Sequence, residues 1–313
     1  QKNDEGIAAC LKHFAGYGAV NAGREYNDVE ISQRTFLEQY VKPFRMALKA
    51  KPAMVMTAFN AIDRKPISGN KELLRDLLRD KEGFDGTVIS DWGSIGQLEE
   101  QGVAADMDEA AVQAIEAGVD IDMMSPAYMF RLEELVKNGQ IPESFIDESA
   151  FRVLMMKNQL GLFENPFAGL GKSGKLTLYN RTKAYQMASE SCVLLKNEEI
   201  LPLCQKQKVI WAGPYVTSRE FLSRWAIFGE HEPVETIEAI LQDKKMNVEC
   251  ITGCRMLSEE ECKIWQVEQD NSDEEIDEQW LETITREDTV VCVLGEHESQ
   301  SGEAASRAFL TLP

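Results

Sequence analysis

The feature that most constrains this chain is a rhythm in its first half. A short apolar run is followed by a helical pattern, then by another apolar run, and each run ends in polar or ionisable residues. The runs are CLKHFAG at 10–16, AMVMTAFN at 53–60, GTVISDW at 86–92 and VDIDMM at 119–124. Helical stretches lie between them: about 32–51 with Ser32 as N-cap, KELLRDLLRD opened by Asn70-Lys71, and DEAAVQAIEAG at 108–118 stopped by Gly118. Strands that alternate with helices and carry Lys12-His13, Asn60, Asp91 and Asp122 at their C-terminal ends fit a TIM-type barrel, whose active site gathers at those ends. A doubly wound sheet has the same local pattern, and only four βα units are visible, half of what a barrel needs.

Two further helices are expected near 128–138 and 143–160, and the Gly- and Lys-rich stretch 164–177 reads as a linker. Beyond it come a helix from about Arg181, strands at 192–197, 208–213, 246–253 and 289–296, a helix at 234–243, and an acidic, exposed helical segment over 258–288. The fold class expected is α/β, with a first domain over 1–163, a linker over 164–180 and a second α/β domain over 181–313. A length of 313 residues suits two domains.

Charge narrows the partners. The formal net charge of −20 disfavours nucleic acid and an anionic membrane surface, both of which want a basic face. A neutral sugar is compatible with it, although solubility alone accounts for most of such a charge. No apolar run is long enough to span a bilayer. The seven cysteines form no CxxC pair, and no His flanks Cys250 and Cys254 at ligand spacing. They read as free thiols, and a cytoplasmic setting is expected. No HExxH, EF-hand, P-loop or GxGxxG pattern occurs, so neither a metal nor another cofactor is expected. The chain opens at Gln1 without Met, inside an element, and the expectation is a piece of a longer protein.

Three places could carry chemistry. Asp91 ends an apolar strand and is followed by Trp92; a helix cap is its bland reading, and a nucleophile beside an aromatic face is the functional one. Lys12 and His13 stand together at another strand end, suited to hydroxyl recognition or, for the lysine, a Schiff base. GEHESQSGEAASR at 295–307 follows a strand and holds Glu296, Glu298 and Glu303 in a loop; by composition alone it is a solvated loop. Composition and spacing stop at a two-domain α/β protein.

Motifs go further when taken in order. KHFAGYGAVNAGREYNDVEIS, VMTAFN, GFDGTVISDWGSI, AIEAGVDIDM, GQIPESFIDESAFRVLMMKNQLGLFENPF, SCVLLKNEEILPL, RWAIFG and GEHESQSGEAASR together resemble glycoside hydrolase family 3, in its periplasmic-type bacterial β-glucosidase branch. The resemblance implies the C-terminal half of a TIM (β/α)8-type barrel followed by part of an α/β sandwich domain. It implies retaining hydrolysis of β-glycosides, most readily β-glucosides, with Asp91 as nucleophile and Glu303 as acid/base. Lys12 and His13 resemble the pair that binds sugar hydroxyls, Trp92 the aromatic wall, and Arg24 a residue of the bordering loop. Phe59 stands where the family often has a tyrosine whose hydroxyl would touch the nucleophile. Tyr17 replaces the loop histidine of the family's N-acetylhexosaminidase branch, which disfavours that branch. The partner expected is a small carbohydrate, with homo-oligomerisation as a way to cover the open edges of half a barrel. The alternatives are a β-xylosidase or other exo-glycosidase of the same family, a catalytically incomplete sugar-binding fragment, and, remotely, a lyase using Lys12.

Overall fold

A computed structural model of the chain describes residues 7–167, 178–203, 207–221, 235–265, 280–300 and 303. The chain divides into two compact units, Gln1–Gly174 and Lys175–Pro313.

The first unit is built on a parallel sheet in the order β1 (Cys10–Phe14), β3 (Met54–Thr57), β6 (Thr87–Ile89). Between β1 and β3 lies a short strand, β2 (Asp28–Val29), which pairs with β4 (Ala61–Ile62) and, through it, with β5 (Lys65–Pro66). Cys10 pairs with Met54, and Val55 with Val88. These are β-branched or unbranched apolar residues with no alternation, the pattern of strands covered on both faces. Val55 and Val88 are fully buried. The expected fourth strand, 119–124, is reduced to one parallel bridge between Ile89 and Ile121. The reason lies in Asp120, whose Oδ2 accepts the Val88 N–H at 2.8 Å in place of a ladder bond. Asp122 then accepts from Ser125 N and Tyr128 N, turning the chain into the next helix.

Each strand is followed by a helix that packs back on the sheet. Ser32 caps the first, its hydroxyl accepting from Thr35 N at 3.1 Å. That helix continues to Leu48 through a wide π-type turn at Phe36–Tyr40, just before Pro43, which has no N–H to offer the Gln39 carbonyl. The helix Glu72–Lys81 buries Leu74, Leu77 and Leu78; each such side chain contributes about 1.5–3 kcal/mol. The helix Met107–Ala117 is capped by Asp106 and ends at Gly118, at φ 97°, where a Cβ would also meet the Arg75 side chain. Ala127–Lys137 and Glu143–Gln159 complete the layer.

A buried ionic cluster ties these helices to the sheet. Asp120 accepts from Arg79 Nη2 at 2.7 Å and from Arg152 Nη1 at 2.9 Å. Glu148 accepts from Arg75 and from Arg152. Arg75 also donates to Glu116 O and Arg79 to Gly118 O, cations set against the C-terminal carbonyls of a helix.

In the second unit, β7 (Val209–Ala212) lies between β8 (Val248–Ile251) and β9 (Thr289–Cys292), all parallel. Gly213, at φ 130°, lets the chain leave β7 so close to Val293 O that a Cβ would stand 2.3 Å from it. Thr236 caps the helix Ile237–Asp243. The strand expected at 192–197 is not formed: after the helix Leu178–Ser191 the chain runs on without strand pairing, with Val193, Leu194 and Leu195 exposed. β9 is half-buried rather than buried. Of the acidic stretch, short helices form at Glu259–Trp265 and Trp280–Thr283; 266–279 lies outside the described residues.

Candidate active site

Asp91 stands two residues past the end of β6 and is 7% exposed. Its backbone carbonyl accepts from Ser94 N at 3.1 Å and from Ser90 Oγ at 3.0 Å, and Ser90 Oγ in turn accepts from Met123 N. A chain of buried hydroxyls, Thr57 to Ser68 to Ser94, braces the turn from below. The side chain is thus delivered by the sheet and not by a loose loop.

The two carboxylate oxygens differ. Oδ1 accepts from Trp92 N at 2.7 Å. Oδ2 is buried and accepts no hydrogen bond among the described residues; His13 Nε2, from β1, faces it at 3.3 Å. A buried carboxylate oxygen left unsatisfied in a tightly bonded neighbourhood calls for an explanation, and reactivity toward a ligand is one.

A row of aromatic rings runs on from His13. His13 meets Tyr17 edge-on at 5.5 Å, Tyr17 lies 6.1 Å from Phe59, and Tyr26 meets Phe59 at 4.5 Å. Trp92 is 59% exposed, its face available to a ligand. Phe59 itself is buried, and its carbonyl accepts from Gln101 Nε2. Lys12 is exposed on β1. Burial pushes the Cys10 thiol up, Lys12 pulls it down and Asp91 pushes it up again, so both charges act on one spot. Four of the residues expected from sequence (His13, Phe59, Asp91 and Trp92) therefore belong to one end of the sheet, and Lys12 stands exposed beside His13 on β1. Arg24 is exposed on the loop after β1, and no bond among the described residues ties its side chain to Asp91. At the opposite end of the strands a cavity of about 710 Å³ is lined by Ala53, Gly86, Phe151 and Met155 among others, away from these groups.

Glu303 is half-buried in the second unit; Ser301 and Gly302 before it lie outside the described residues. Ahead of them, the loop after β9 is pinned by bonds that the sequence did not announce. His297 is 3% exposed and pairs with Glu220 at 3.3 Å, and Tyr215 donates its hydroxyl to Glu296 O. Burial, with the charges of Glu220, Glu298 and Glu296, pushes that tyrosine's hydroxyl up. Tyr26, Ser90 and His297 were missed because contacts with Phe59, Met123 N and Glu220, far away along the chain, give them their place.

Residues 1–156 match the model of the glycosyl hydrolase family 3 N-terminal domain. A periplasmic beta-glucosidase from Salmonella typhimurium is 33% identical over 98% of this chain and 43% of its own length. A putative beta-xylosidase from Formosa agariphila is 40% identical over 68% of this chain and 29% of its own length. A mutant beta-glucosidase from Listeria innocua, solved in complex with laminaribiose, superposes with a TM-score of 0.84 at 37% identity, covering 100% of this chain and 42% of that one. The chain spans less than half the length of these relatives. The cytoplasmic setting expected from the thiols is overturned by the Salmonella relative, a periplasmic protein.

Proposed function

This chain belongs to glycosyl hydrolase family 3, and on that premise we propose that it carries the two carboxyl groups of a retaining β-glycosidase acting on β-glucosides in a periplasmic or secreted setting. Residues 1–163 are taken as the C-terminal half of a TIM-type barrel, 164–180 as a linker and 181–313 as the first part of an α/β sandwich domain. The observation that carries the reading is Asp91 Oδ2, buried, without a hydrogen bond among the described residues, and faced by His13 at the C-terminal end of a parallel sheet.

Asp91 Oδ2 attacks the anomeric carbon as the glycosidic C–O bond breaks, and Glu303 gives its proton to the leaving oxygen. An Asp91–glycosyl ester results. Water then attacks the same carbon while Glu303 takes up the water's proton, and Asp91 leaves as carboxylate with the sugar's configuration retained. Lys12 and His13 hold ring hydroxyls, and Trp92 and the Tyr17–Phe59–Tyr26 group offer faces to the sugar's C–H surface. The β-xylosidase among the relatives supports the pentoside as the second substrate.

The test is hydrolysis of p-nitrophenyl β-glucoside and β-xyloside by the full-length protein, with mass spectrometry after treatment with a 2-deoxy-2-fluoro-β-glucoside. Turnover with a covalent adduct on Asp91 is the expected result. A folded protein inactive on both substrates and unlabelled at Asp91 overturns the reading.

A further inference from the structure

The loop that precedes Glu303 is unusual for a connection after a strand: its polar residues His297, Ser299 and Gln300 are 3%, 7% and 5% exposed. Loops ordinarily keep such groups in water. Here they are bonded to one another and to two other elements.

His297 is the centre of this arrangement. Its Nδ1 lies 3.2 Å from Ser299 N, a group that can only donate, and 2.8 Å from Ser299 Oγ. Nδ1 is therefore the acceptor, and the ring proton belongs on Nε2. Nε2 faces Glu220 Oε2 at 3.3 Å, on the segment that follows β7. One ring thus folds the loop upon itself through Nδ1, while Nε2 makes a close polar contact, not a hydrogen bond, with Glu220 on a neighbouring strand's extension. Gln300 repeats the device: its Oε1 accepts from His297 N at 3.0 Å, its N–H donates to His297 O at 2.9 Å, and its Nε2 donates to Glu261 Oε1 at 3.3 Å on the helix Glu259–Trp265. Tyr215 adds a third tie, through Glu296 O.

We infer that His297 is a positioning residue that sets where this loop presents Glu303; the inference rests on the reading of Glu303 as the acid/base group. A general acid works only within hydrogen-bond reach of the leaving oxygen, about 2.6–3.2 Å. The stretch 296–300 is held to the segment after β7 and to the helix Glu259–Trp265, and ends three residues before Glu303. His297 contributes both to the internal fold of the loop and, through its contact with Glu220, to its attachment to the segment after β7.

The test compares leaving groups in the full-length protein. His297→Ala is expected to lower kcat/KM for an alkyl β-glucoside by roughly 10²-fold, the scale of a misplacement of about 1 Å. It should leave 2,4-dinitrophenyl β-glucoside almost unchanged, because that leaving group departs without a proton. His297→Asn keeps an acceptor for Ser299 N and loses the contact with Glu220; it should show a smaller loss with the same dependence on leaving group. That variant carries the test if His297→Ala does not fold. Labelling of Asp91 by 2,4-dinitrophenyl 2-deoxy-2-fluoro-β-glucoside should proceed in wild type and variants alike. Labelling with an equal loss on both substrates overturns the role of His297 alone. Failure of the wild type to label overturns the hydrolase reading, and the role of His297 with it.

Discussion

The two units hold their acidic residues by different means. Asp91 stands at the end of a strand within a sheet whose Val55 and Val88 are fully buried, and its backbone is fixed by Ser90 and Ser94. In the second unit only the central strand β7 is well buried; β8 and β9 are half-buried, and Glu303 follows a loop held by side chains. A carboxylate placed by a sheet is hard to displace, and its effect is lost only by removing it. A carboxylate placed by a loop can be displaced from several positions at once. The general lesson is that the two partners of one reaction can differ in where mutation reaches them.

The largest expected effect tests that difference directly. Asp91→Ala should lower kcat by about 10⁴-fold or more on every substrate, as loss of a nucleophile does. Glu303→Ala should lower kcat/KM on alkyl glucosides and spare kcat/KM on dinitrophenyl glucosides, whose first step needs no proton, while kcat falls on both because the second step loses its base. Steady-state rates across a leaving-group series check both, and identical profiles for the two variants would break the contrast.

Next in size is the buried ion cluster. Asp120→Ala leaves the guanidinium groups of Arg79 and Arg152, 8% and 15% exposed, without their shared carboxylate. It also strips Val88 N of its acceptor. A loss of about 3–5 kcal/mol in unfolding free energy is expected. In the second unit Glu249 pairs with Lys208 at 2.5 Å, but both are near half exposed, and Glu249→Ala should cost less than about 1 kcal/mol. Denaturant midpoints for the two variants decide the matter, and a Glu249 effect as large as that of Asp120 would show the second unit to depend on ion pairs as the first does.

Within the same cluster, Glu148 gives a pH signature. Burial works to raise its carboxyl, but the hydrogen bonds from Arg75 and Arg152 outweigh burial, and it titrates below the ordinary glutamate value. A group depressed in the folded state contributes stability above its unfolded pKa and loses it as pH falls through the folded one. Wild type should therefore lose stability in acid below the ordinary glutamate range, and Glu148→Gln should lose less over the same interval. Thermal melts at stepped pH check the sign.

Much of this was legible along the chain because the strands and helices of the first unit follow local rules. Ser32, Asn70 and Gly118 stand at the helix boundaries where their side chains or left-handed φ are needed, and VMTAFN and TVISDW are apolar runs of strand length. The end of β6 pointed to Asp91 for the same reason. CVLLKN failed as a strand because an apolar run shows only that a segment could pair, not that a neighbour is present to pair with it. The run at 119–124 failed for a different reason: the Asp120 side chain takes the bond that the ladder would have used. His297 and Glu220 are 77 residues apart in number and meet only through the parallel pairing of β7 and β9. No periodicity encodes such a pair.

The smallest effect sharpens the comparison at a device both units share. Ser32 and Thr236 each accept from the backbone N–H three residues on, at 3.1 Å, and each caps a helix beside a parallel strand. Replacing a hydroxyl cap by alanine costs about 1 kcal/mol wherever it is made, because the orphaned N–H is a local debt of the helix. Ser32→Ala and Thr236→Ala should therefore shift stability alike, even though the sheets behind them are buried to different depths. Native-state hydrogen exchange at the amides of Thr35 and Ala239 reads each loss at its source. A much larger loss at Ser32 would mean that the cap is coupled to the packed sheet of the first unit, and that burial, not the hydroxyl bond, governs the start of that helix.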